Sequence, residues 1–575
     1  MLERVEINKL YLYQRDLLFL VVLLFPIQTI LVYQKSLFST FSFYGQISSI
    51  PLLVGYVLAV VTCVREHQVK NLLFPVFTIA VFYVLLCAGI SFHSIFEYSN
   101  IGPFDAATFG ETSKTRLLKN LLVTLGVSSD AILYGLIVLM RDTLNSVREV
   151  VFAFGTVVWI AFLSRKDFLG TFETVRKAVL WSTAFLTPYI ACELMHLYGM
   201  GEATSVLKAI NSGLYEPSAF LGYPPIVSPN QIRGTWTEPA YFAIWLVFAV
   251  PFLISHFFKD GSLSFKRLVR NALFFTIIFS IWFMTYARTS VVLMTVLVGL
   301  NLFFAVIFCT RENWEKASIL CISVLAAFFI TSAWGPQDVS RRVSIKATVA
   351  TSSVVQKESI SQSSDNLLGI NRQKKASTGD KLTVNKEPLR ASESTLFKNT
   401  VKSTVDSKSR SNPARLEDFF SKLEVFKEFP LMGAGDTLSS VAQLHKLLER
   451  RSQLTSESQQ RIAETQSKGI FQSPLGGCSL SVSGTLCARG LIGFLISFLP
   501  ILFLGLLLFV QILKVIGFPR ECGITIFISS VGSFLSSFSQ GLYFFYFWCS
   551  AGLALSLLFW LRVENSDGKI PMNLQ

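Results

Sequence analysis

Charged side chains that could do chemistry stand at the ends of apolar stretches. Arg233 and Glu238 belong to the segment 232–240, which leads directly into an apolar run, and Arg288 stands in a turn between two further runs. Arg489 stands at the start of another run. A guanidinium keeps its charge and offers a planar fork that matches phosphate oxygens. Several arginines gathered at one face of a membrane would therefore suit a lipid diphosphate.

Each of these residues also has a simpler interpretation. A single arginine at the end of a membrane span usually reaches for the headgroups, and Glu238 fits the acidic position that a helix N-terminus favours. Glu193 and His196 stand one helical turn apart near the end of a run. Ionisable groups at that depth are candidate functional residues, although side chains facing a water-filled cavity without chemistry explain them as well.

The composition indicates what positions these residues. Hydrophobic residues make up 51% of the chain and charged residues 15%, with 52 phenylalanines and a mean hydropathy of +0.51. A soluble protein cannot cover its surface with so little charge, whereas lipid accepts apolar side chains. Many runs reach the ~20 residues that cross a ~30 Å hydrocarbon core. We therefore predict an all-α polytopic membrane protein with about twelve transmembrane helices.

The apolar runs divide the chain into a bundle and one large insertion. We predict a bundle of about nine spans over 1–334, an insertion over 335–489, three final spans over 490–562 and a tail over 563–575. One predicted span covers Leu121–Met140. If the shorter run Val150–Leu163 also crosses, there are thirteen spans and the N-terminus is outside; we prefer the interpretation in which this run is interfacial or re-entrant, which leaves twelve. The other predicted spans are Leu17–Tyr33, Gln46–Val64, Asn71–Phe92, Ala178–Tyr198, Ala240–Phe258, Asn271–Tyr286, Ser290–Cys309, Ala317–Trp334, Leu491–Leu513, Ile524–Ser539 and Leu542–Leu561.

Basic residues in the short loops predict the orientation. The positive-inside rule makes these loops cytoplasmic, which leaves the insertion on the outer side of an inner (cytoplasmic) membrane. With twelve spans the N-terminus is also cytoplasmic. The residues that this interpretation assigns to the cytoplasm are Arg141, Arg148, Arg165, Lys166, Arg176, Lys177, Lys259, Lys266, Arg267, Arg270, Arg311, Lys316, Lys514, Arg520, Arg562 and Lys569.

The insertion reads as two different parts. The stretch 350–412 is rich in Ser, Thr, Lys and Asn, so it buries too little apolar surface to offset its ordering entropy and is expected to be disordered. Short amphipathic helices are predicted over 414–448, broken at Pro430–Asp436, with the phenylalanines of the first helix packed inward as a cap over the bundle. Cys478 and Cys487 either pair or stay free.

Several chemistries are excluded by the motifs that the sequence lacks. No phosphate loop, nucleotide-binding fold or Ser-His-Asp signature can be read, and the five histidines have no metal-ligand spacing. We therefore expect no metal, no cofactor and no nucleic-acid partner.

Four short motifs resemble the O-antigen polymerase and ligase superfamily of bacterial surface-polysaccharide assembly. They are Arg233-Gly-Thr-Trp-Thr-Glu-Pro-Ala-Tyr-Phe-Ala243, Thr285-Tyr-Ala-Arg-Thr-Ser290, Glu424-Val-Phe-Lys-Glu-Phe-Pro-Leu-Met-Gly-Ala-Gly435 and Arg489-Gly-Leu-Ile-Gly493. The resemblance covers about residues 230–515 and implies a metal-independent glycosyltransferase that polymerises polyprenyl-diphosphate-linked repeat units. Its donor and acceptor would both be lipid-linked glycans in contact with membrane lipids, and a chain-length regulator is a candidate protein partner.

The resemblance also implies roles for single residues. Arg233, Arg288 and Arg489 would hold the diphosphate, with Arg415 at the start of the amphipathic segment as a further candidate, and Glu238 would act as acid or base. Trp236, Glu193 and His196 are candidate substrate-binding residues. Ligases of the family carry a His where this chain has Ser479, which favours a polymerase; a ligase, or a transporter that flips lipid-linked oligosaccharides, remains an alternative.

Overall fold

A computed structural model describes residues 2–27, 46–98, 104–214, 226–228, 230–259, 264–335, 414, 416–473, 475, 481–538 and 545–566. Over these residues the chain forms helices and no β-strand. The stretch 350–412, Arg415 and Cys478 lie outside the described residues, so the predictions made for them are untested. Cys487 is a buried free thiol.

The helices before the insertion are numbered in chain order. They are α1 (Leu2–Leu23), α2 (Ser49–Arg65), α3 (Phe74–Tyr98), α4 (Ala106–Phe109), α5 (Ser113–Thr124), α6 (Asp130–Glu149), α7 (Gly155–Ser164), α8 (Phe168–Leu197), α9 (Gly201–Leu214), α10 (Pro239–Phe257), α11 (Phe265–Phe283), α12 (Arg288–Phe308) and α13 (Arg311–Trp334).

In the parts of the chain that the structure describes after residue 335, three helices precede the end of the insertion and three more follow. They are α14 (416–428), α15 (Leu438–Glu449), α16 (Ser456–Lys468), α17 (Val482–Lys514), α18 (Phe518–Leu535) and α19 (Phe545–Ser566). Helices α14 and α15 lie on either side of Pro430–Asp436, the segment at which the sequence predicts a break.

Nine helices in the described part of the chain are long and apolar enough to cross a membrane. They are Val69–Glu97, Asp130–Ser164, Phe168–Leu197, Pro239–Phe257, Arg288–Phe308, Arg311–Trp334, Val482–Lys514, Phe518–Phe538 and Phe545–Glu564. The prediction of an all-α polytopic membrane protein is confirmed; the count of twelve stays a prediction.

The helix over Asp130–Ser164 differs from the prediction for this region. It runs for 35 residues, through a π-helical turn at Val150–Phe154, because no proline interrupts the sequence between its ends. The predicted span Leu121–Met140 is instead split, since Gly126 has a φ of 91° and separates α5 from α6. Val150–Leu163 is thus part of one continuous apolar helix rather than a separate interfacial segment.

This continuous helix also places Arg141 at a different end of the bundle from the one that the sequence predicts. Its guanidinium lies 4.8 Å from the ring centroid of Phe471 in the insertion. We call the end of the bundle against which the insertion packs the insertion end. The opposite end is the one that carries the turn between Ser164 and Phe168. The prediction that Arg141 and Arg165 share one side is therefore wrong, because 24 residues of helix separate them, or about 36 Å at 1.5 Å per residue.

Ion pairs hold the helix ends together at the opposite end. Arg15 contacts Asp167 at 2.9 Å, which joins α1 to the start of α8. Lys166 contacts Glu66 at 2.6 Å, which joins the turn after α7 to the end of α2. These contacts fix the register of the first helices relative to α7 and α8.

Helix α10 forms the centre of the bundle. Its side chains from Pro239 to Ile254 are nearly all buried, in contact with α8, α12, α18 and α19. A helix that is apolar on every face is expected to lie inside such a bundle. The ring centroid of Phe248 lies 5.2 Å from that of Phe252 and 5.8 Å from that of Tyr546, with both ring pairs tilted, so aromatic contacts set the spacing around it.

Close packing between α2 and α7 gives a test of the helix arrangement. A Cβ added at Gly55 would lie 2.4 Å from Cζ2 of Trp159, whose Nε1 donates to Gln14 and holds the ring in place. We expect Gly55→Ala to lower the free energy of unfolding by about 1–3 kcal/mol through overpacking. Thermal unfolding in detergent micelles measures this.

Gly89 is the matched control, because a Cβ there meets no atom within 4 Å. Gly89→Ala should be neutral, or stabilising by about 0.5–1 kcal/mol from the lower helical cost of alanine. Equal melting temperatures for the two variants would contradict the contact between α2 and α7.

Candidate functional site

Arg489 lies in a buried ion-pair cluster that joins the insertion to the bundle. Its Nε and Nη2 donate to the two carboxylate oxygens of Asp436 at 3.0 and 2.7 Å. Its Nη1 donates to Glu149 at 2.7 Å and to the hydroxyl of Tyr83 at 2.6 Å. The side chain of Arg489 is about 2% exposed. We call these four residues the Arg489 cluster.

Glycines let the loop before Asp436 approach α17 closely. Gly433 has a φ of 73°, and a Cβ there would lie 2.4 Å from the Ala488 carbonyl carbon. The backbone amides of Ala434 and Gly435 donate to the carbonyls of Cys487 and Ala488 at 2.9 and 2.8 Å. The Pro-Leu-Met-Gly-Ala-Gly motif therefore docks on the start of α17 through its backbone.

Gly490 completes this docking from the side of α17. It interrupts the helical dihedrals of α17 with a φ of 62°, and the amide of Leu491 donates to the carbonyl of Pro430 at 2.9 Å. Two of the motifs that the sequence singled out thus meet through backbone hydrogen bonds, and their meeting brings Asp436 to Arg489.

A third acid, Asp142, lies beside this cluster. It accepts hydrogen bonds from Ser91 at 2.9 Å, from the amide of Thr437 at 3.2 Å and from the hydroxyl of Thr437 at 2.5 Å. Two buried carboxylates, those of Asp436 and Glu149, therefore share the Arg489 guanidinium, and Asp142 adjoins them through Thr437, the residue after Asp436. Because buried charges need partners, Arg489 supplies the positive charge that both carboxylates pair with, and it ties Asp436 of the insertion to Glu149 of α6.

A second cluster forms around Glu193 near the end of α8. Its carboxylate accepts from the backbone amide of Gly234 at 2.9 Å and from that of Arg233 at 3.5 Å. The buried guanidinium of Arg233 donates from Nη2 to the carbonyl of Ile226 at 2.8 Å, and burial lowers its pKa from the usual value. We call Glu193, Arg233 and the nearby His196 the Glu193 cluster.

The remaining polar groups of this region hold its loop in place. His196 contacts the hydroxyl of Thr204 at 2.7 Å and the carbonyl of Ser228 at 3.1 Å. Tyr189 donates to Asn211 at 2.7 Å, and Asn211 donates to the carbonyl of Ile226 at 2.6 Å. Helices α8 and α9 thus position the loop that carries Arg233.

Arg288 belongs to the turn beside this loop. The amide of Ile232 donates to the carbonyl of Met284 at 3.0 Å, which joins the Arg233 motif to the Arg288 motif. Arg288 begins α12 and is exposed. Glu238 is half-buried at the N-cap of α10, directly before Pro239.

Trp236 is buried rather than open to a cavity. Its ring stacks on Phe242 at 5.3 Å, and its Nε1 donates to the hydroxyl of Tyr546 at 3.0 Å. In this structure its contacts are therefore those of a packing residue, and its predicted substrate contact stays a prediction.

The structure brings the predicted residues together in two groups. The Glu193 cluster adjoins the Arg288 turn and Glu238, whereas the partners of Arg489 are Tyr83, Glu149 and Asp436. Within the described part of the chain, no three His, Cys, Asp or Glu side chains are placed to hold a metal ion.

Sequence reasoning missed the two acids that pair with Arg489, Glu149 and Asp436, and Asp142 beside them. Asp142 and Glu149 stand within or beside apolar runs, the usual signal for a functional or paired charge. Asp436 follows two glycines at a helix break.

The charges of the Arg489 cluster predict that loss of the arginine lowers the stability of the protein more than loss of one of its acids. Arg489→Gln leaves the buried carboxylates without their guanidinium and should lower the free energy of unfolding by about 3–5 kcal/mol. Asp436→Asn leaves Arg489 paired with Glu149 and should cost less. Thermal unfolding in micelles and the rate of proteolysis within the insertion measure both effects.

Equal losses in the two variants would contradict this account of the cluster. An Arg489→Gln protein as stable as the parent would do the same, and would indicate that Arg489 serves a ligand rather than the fold.

The resemblance to the polymerase and ligase superfamily rests on the four motifs and stays a prediction. No protein-family model matches the chain, and neither a curated protein nor a solved structure matches it.

Proposed function

We propose that this chain is a membrane glycosyltransferase that polymerises polyprenyl-diphosphate-linked oligosaccharide repeat units for a bacterial surface polysaccharide. The observation that carries the proposal is the hydrogen bond between the Ile232 amide and the Met284 carbonyl, 3.0 Å long. It joins the loop of Arg233 to the turn of Arg288, so two cationic motifs adjoin beside the Glu193 cluster at one end of the bundle.

The distribution of basic residues supports an extracytoplasmic position for this site. Arg165, Lys166 and Lys316 make their ion pairs at the opposite end, where loops between spans are short. The positive-inside rule makes that end cytoplasmic. The insertion end, with Arg233 and Arg288, then faces outward, where lipid-linked repeat units are joined.

The reaction needs charge stabilisation more than it needs a cofactor. A hydroxyl of the acceptor glycan attacks the anomeric carbon of the donor, the bond from that carbon to the diphosphate oxygen breaks, and the lipid diphosphate leaves with the electron pair. Arg233 and Arg288 would hold the departing charge. Glu238 would take the proton from the attacking hydroxyl, since a half-buried carboxylate at this edge can face both water and substrate.

Arg489 has a different place in the proposal. All three nitrogens of its guanidinium donate to protein oxygens in the Arg489 cluster. A diphosphate would have to displace a buried carboxylate to reach them. We therefore assign Arg489 to holding the insertion against the bundle and leave the diphosphate to Arg233 and Arg288.

A transporter of lipid-linked oligosaccharide is the second candidate. Buried acids within long apolar helices, here Asp142 and Glu193, are typical of proton-coupled transport. The two functions differ in what reaches the cell surface, so one experiment separates them.

Surface glycans in cells that lack the chain and carry variants test the proposal. Loss of one cation at the departing charge should slow polymerisation on the order of 10²–10³-fold. Arg233→Ala and Arg288→Ala cells should therefore display single repeat units on gels instead of long chains. Arg270→Ala is the matched control. This exposed arginine lies near the N-terminal end of α11, whereas the Arg288 turn follows the C-terminal end of that helix.

The other outcomes identify the alternatives. A surface without any repeat units would indicate a failed transporter, and long polymer that is not attached to its carrier would indicate a ligase. Normal chain length in both variants, with each protein present in the membrane at the parental level, would refute the diphosphate role.

A further inference from the structure

Helix α14 packs its polar face against the protein and leaves its apolar face exposed. Its polar side faces the protein: Ser421 and Lys422 are buried, and Gln443 of α15 donates to the Asp418 carboxylate at 2.8 Å. Its apolar side faces away, with Leu416 55% exposed and Phe420 54% exposed. The prediction that these phenylalanines pack inward against the bundle is wrong for Phe420.

This orientation follows from the helical spacing. Leu416, Phe420 and Leu423 recur at intervals of four and three residues, so they share one face. Val425 stands near the opposite face and is fully buried in a small cluster with Ala434, Ala442 and Cys487. A water-exposed row of large apolar side chains is unfavourable, so this face must have an apolar cover in the working protein.

The apolar row continues directly into the lipid-facing surface of α17. After α14 the chain passes through Leu431, which is 63% exposed and whose carbonyl accepts from the amide of Ile492 at 3.1 Å. One turn further along α17, Leu495 is 42% exposed, and Leu499 is 55% exposed. Because α17 is an apolar helix long enough to span a membrane, its exposed leucines face lipid.

We propose that α14 and the following loop through Met432 lie on the bilayer, with Leu416, Phe420 and Leu431 inserted among the lipids. The continuity of these side chains with the outward face of α17 favours lipid over a protein partner. Lys427, exposed at the C-terminal end of the same face, can extend its amine to the headgroups as interfacial lysines do. The inference holds whether or not the chain polymerises glycans.

The consequence for the insertion is a second attachment. Asp436 is fixed to the bundle through Arg489, and α14 would be fixed to the membrane only a few residues earlier in the chain. The insertion would then keep a set height above the bilayer, next to any lipid-linked group that enters from the membrane plane.

Spin labelling of the full chain in lipid nanodiscs tests the proposal. The parent carries Cys309→Ser, which removes the one exposed thiol among the cysteines that the structure describes. The labelling that this parent still shows is subtracted from that of each variant. Labels are placed at Phe420→Cys, at Leu499→Cys as the lipid-facing reference and at Ser452→Cys, an exposed insertion residue, as the water-facing reference. The accessibility of each label to oxygen and to a water-soluble nickel chelate is measured.

Lipid contact predicts an oxygen-to-nickel accessibility ratio at Phe420→Cys several-fold above that at Ser452→Cys and close to that at Leu499→Cys. A ratio equal to that at Ser452→Cys would show contact with water and overturn the proposal. Low accessibility to both reagents would show a protein cover, from a second copy or from the chain itself, and would also overturn it. Leu416→Cys gives the same comparison if Phe420→Cys does not fold.

Discussion

The bidentate pair between Arg489 and Asp436 is the interaction on which the link between bundle and insertion depends. Removing charges from water costs several kcal/mol for each ion, which only close pairing and hydrogen bonding can offset. Here Glu149 of α6 and Tyr83 of α3 accept hydrogen bonds from Nη1, the guanidinium nitrogen that does not donate to Asp436. The pair therefore forms only when four distant parts of the chain, around 83, 149, 436 and 489, are all in place.

This dependence explains the glycines around the pair. Gly433, Gly435 and Gly490 all have positive φ, and two of them have neighbouring backbone where a Cβ would stand. The resulting close approach excludes water from Arg489 and lowers the local dielectric constant, which strengthens each contact it makes. The glycines and the ion pair are thus one structural unit, and neither would be effective alone.

Local patterns in the sequence were sufficient for the class of fold. Apolar length predicted the membrane helices, and the helix break at Pro430 was read from its turn residues. Contacts between residues that are distant in the sequence cannot be predicted from such local patterns. Nothing local to Arg489 indicates that Glu149 of α6 and Asp436 of the loop before α15 lie beside it. The outward apolar face of α14 looks in sequence like an ordinary core-facing one.

The burial of α10 on every face has a consequence for biosynthesis. This helix is made before α18 and α19, which supply much of its surroundings, so on emerging from the ribosome it can only meet lipid or partly assembled neighbours. Its final environment arises when the last helices have been inserted. The loop before it, with Arg233 and Glu238, therefore matures late, and truncation near the C-terminus would leave that distant loop without its aromatic support from Tyr546.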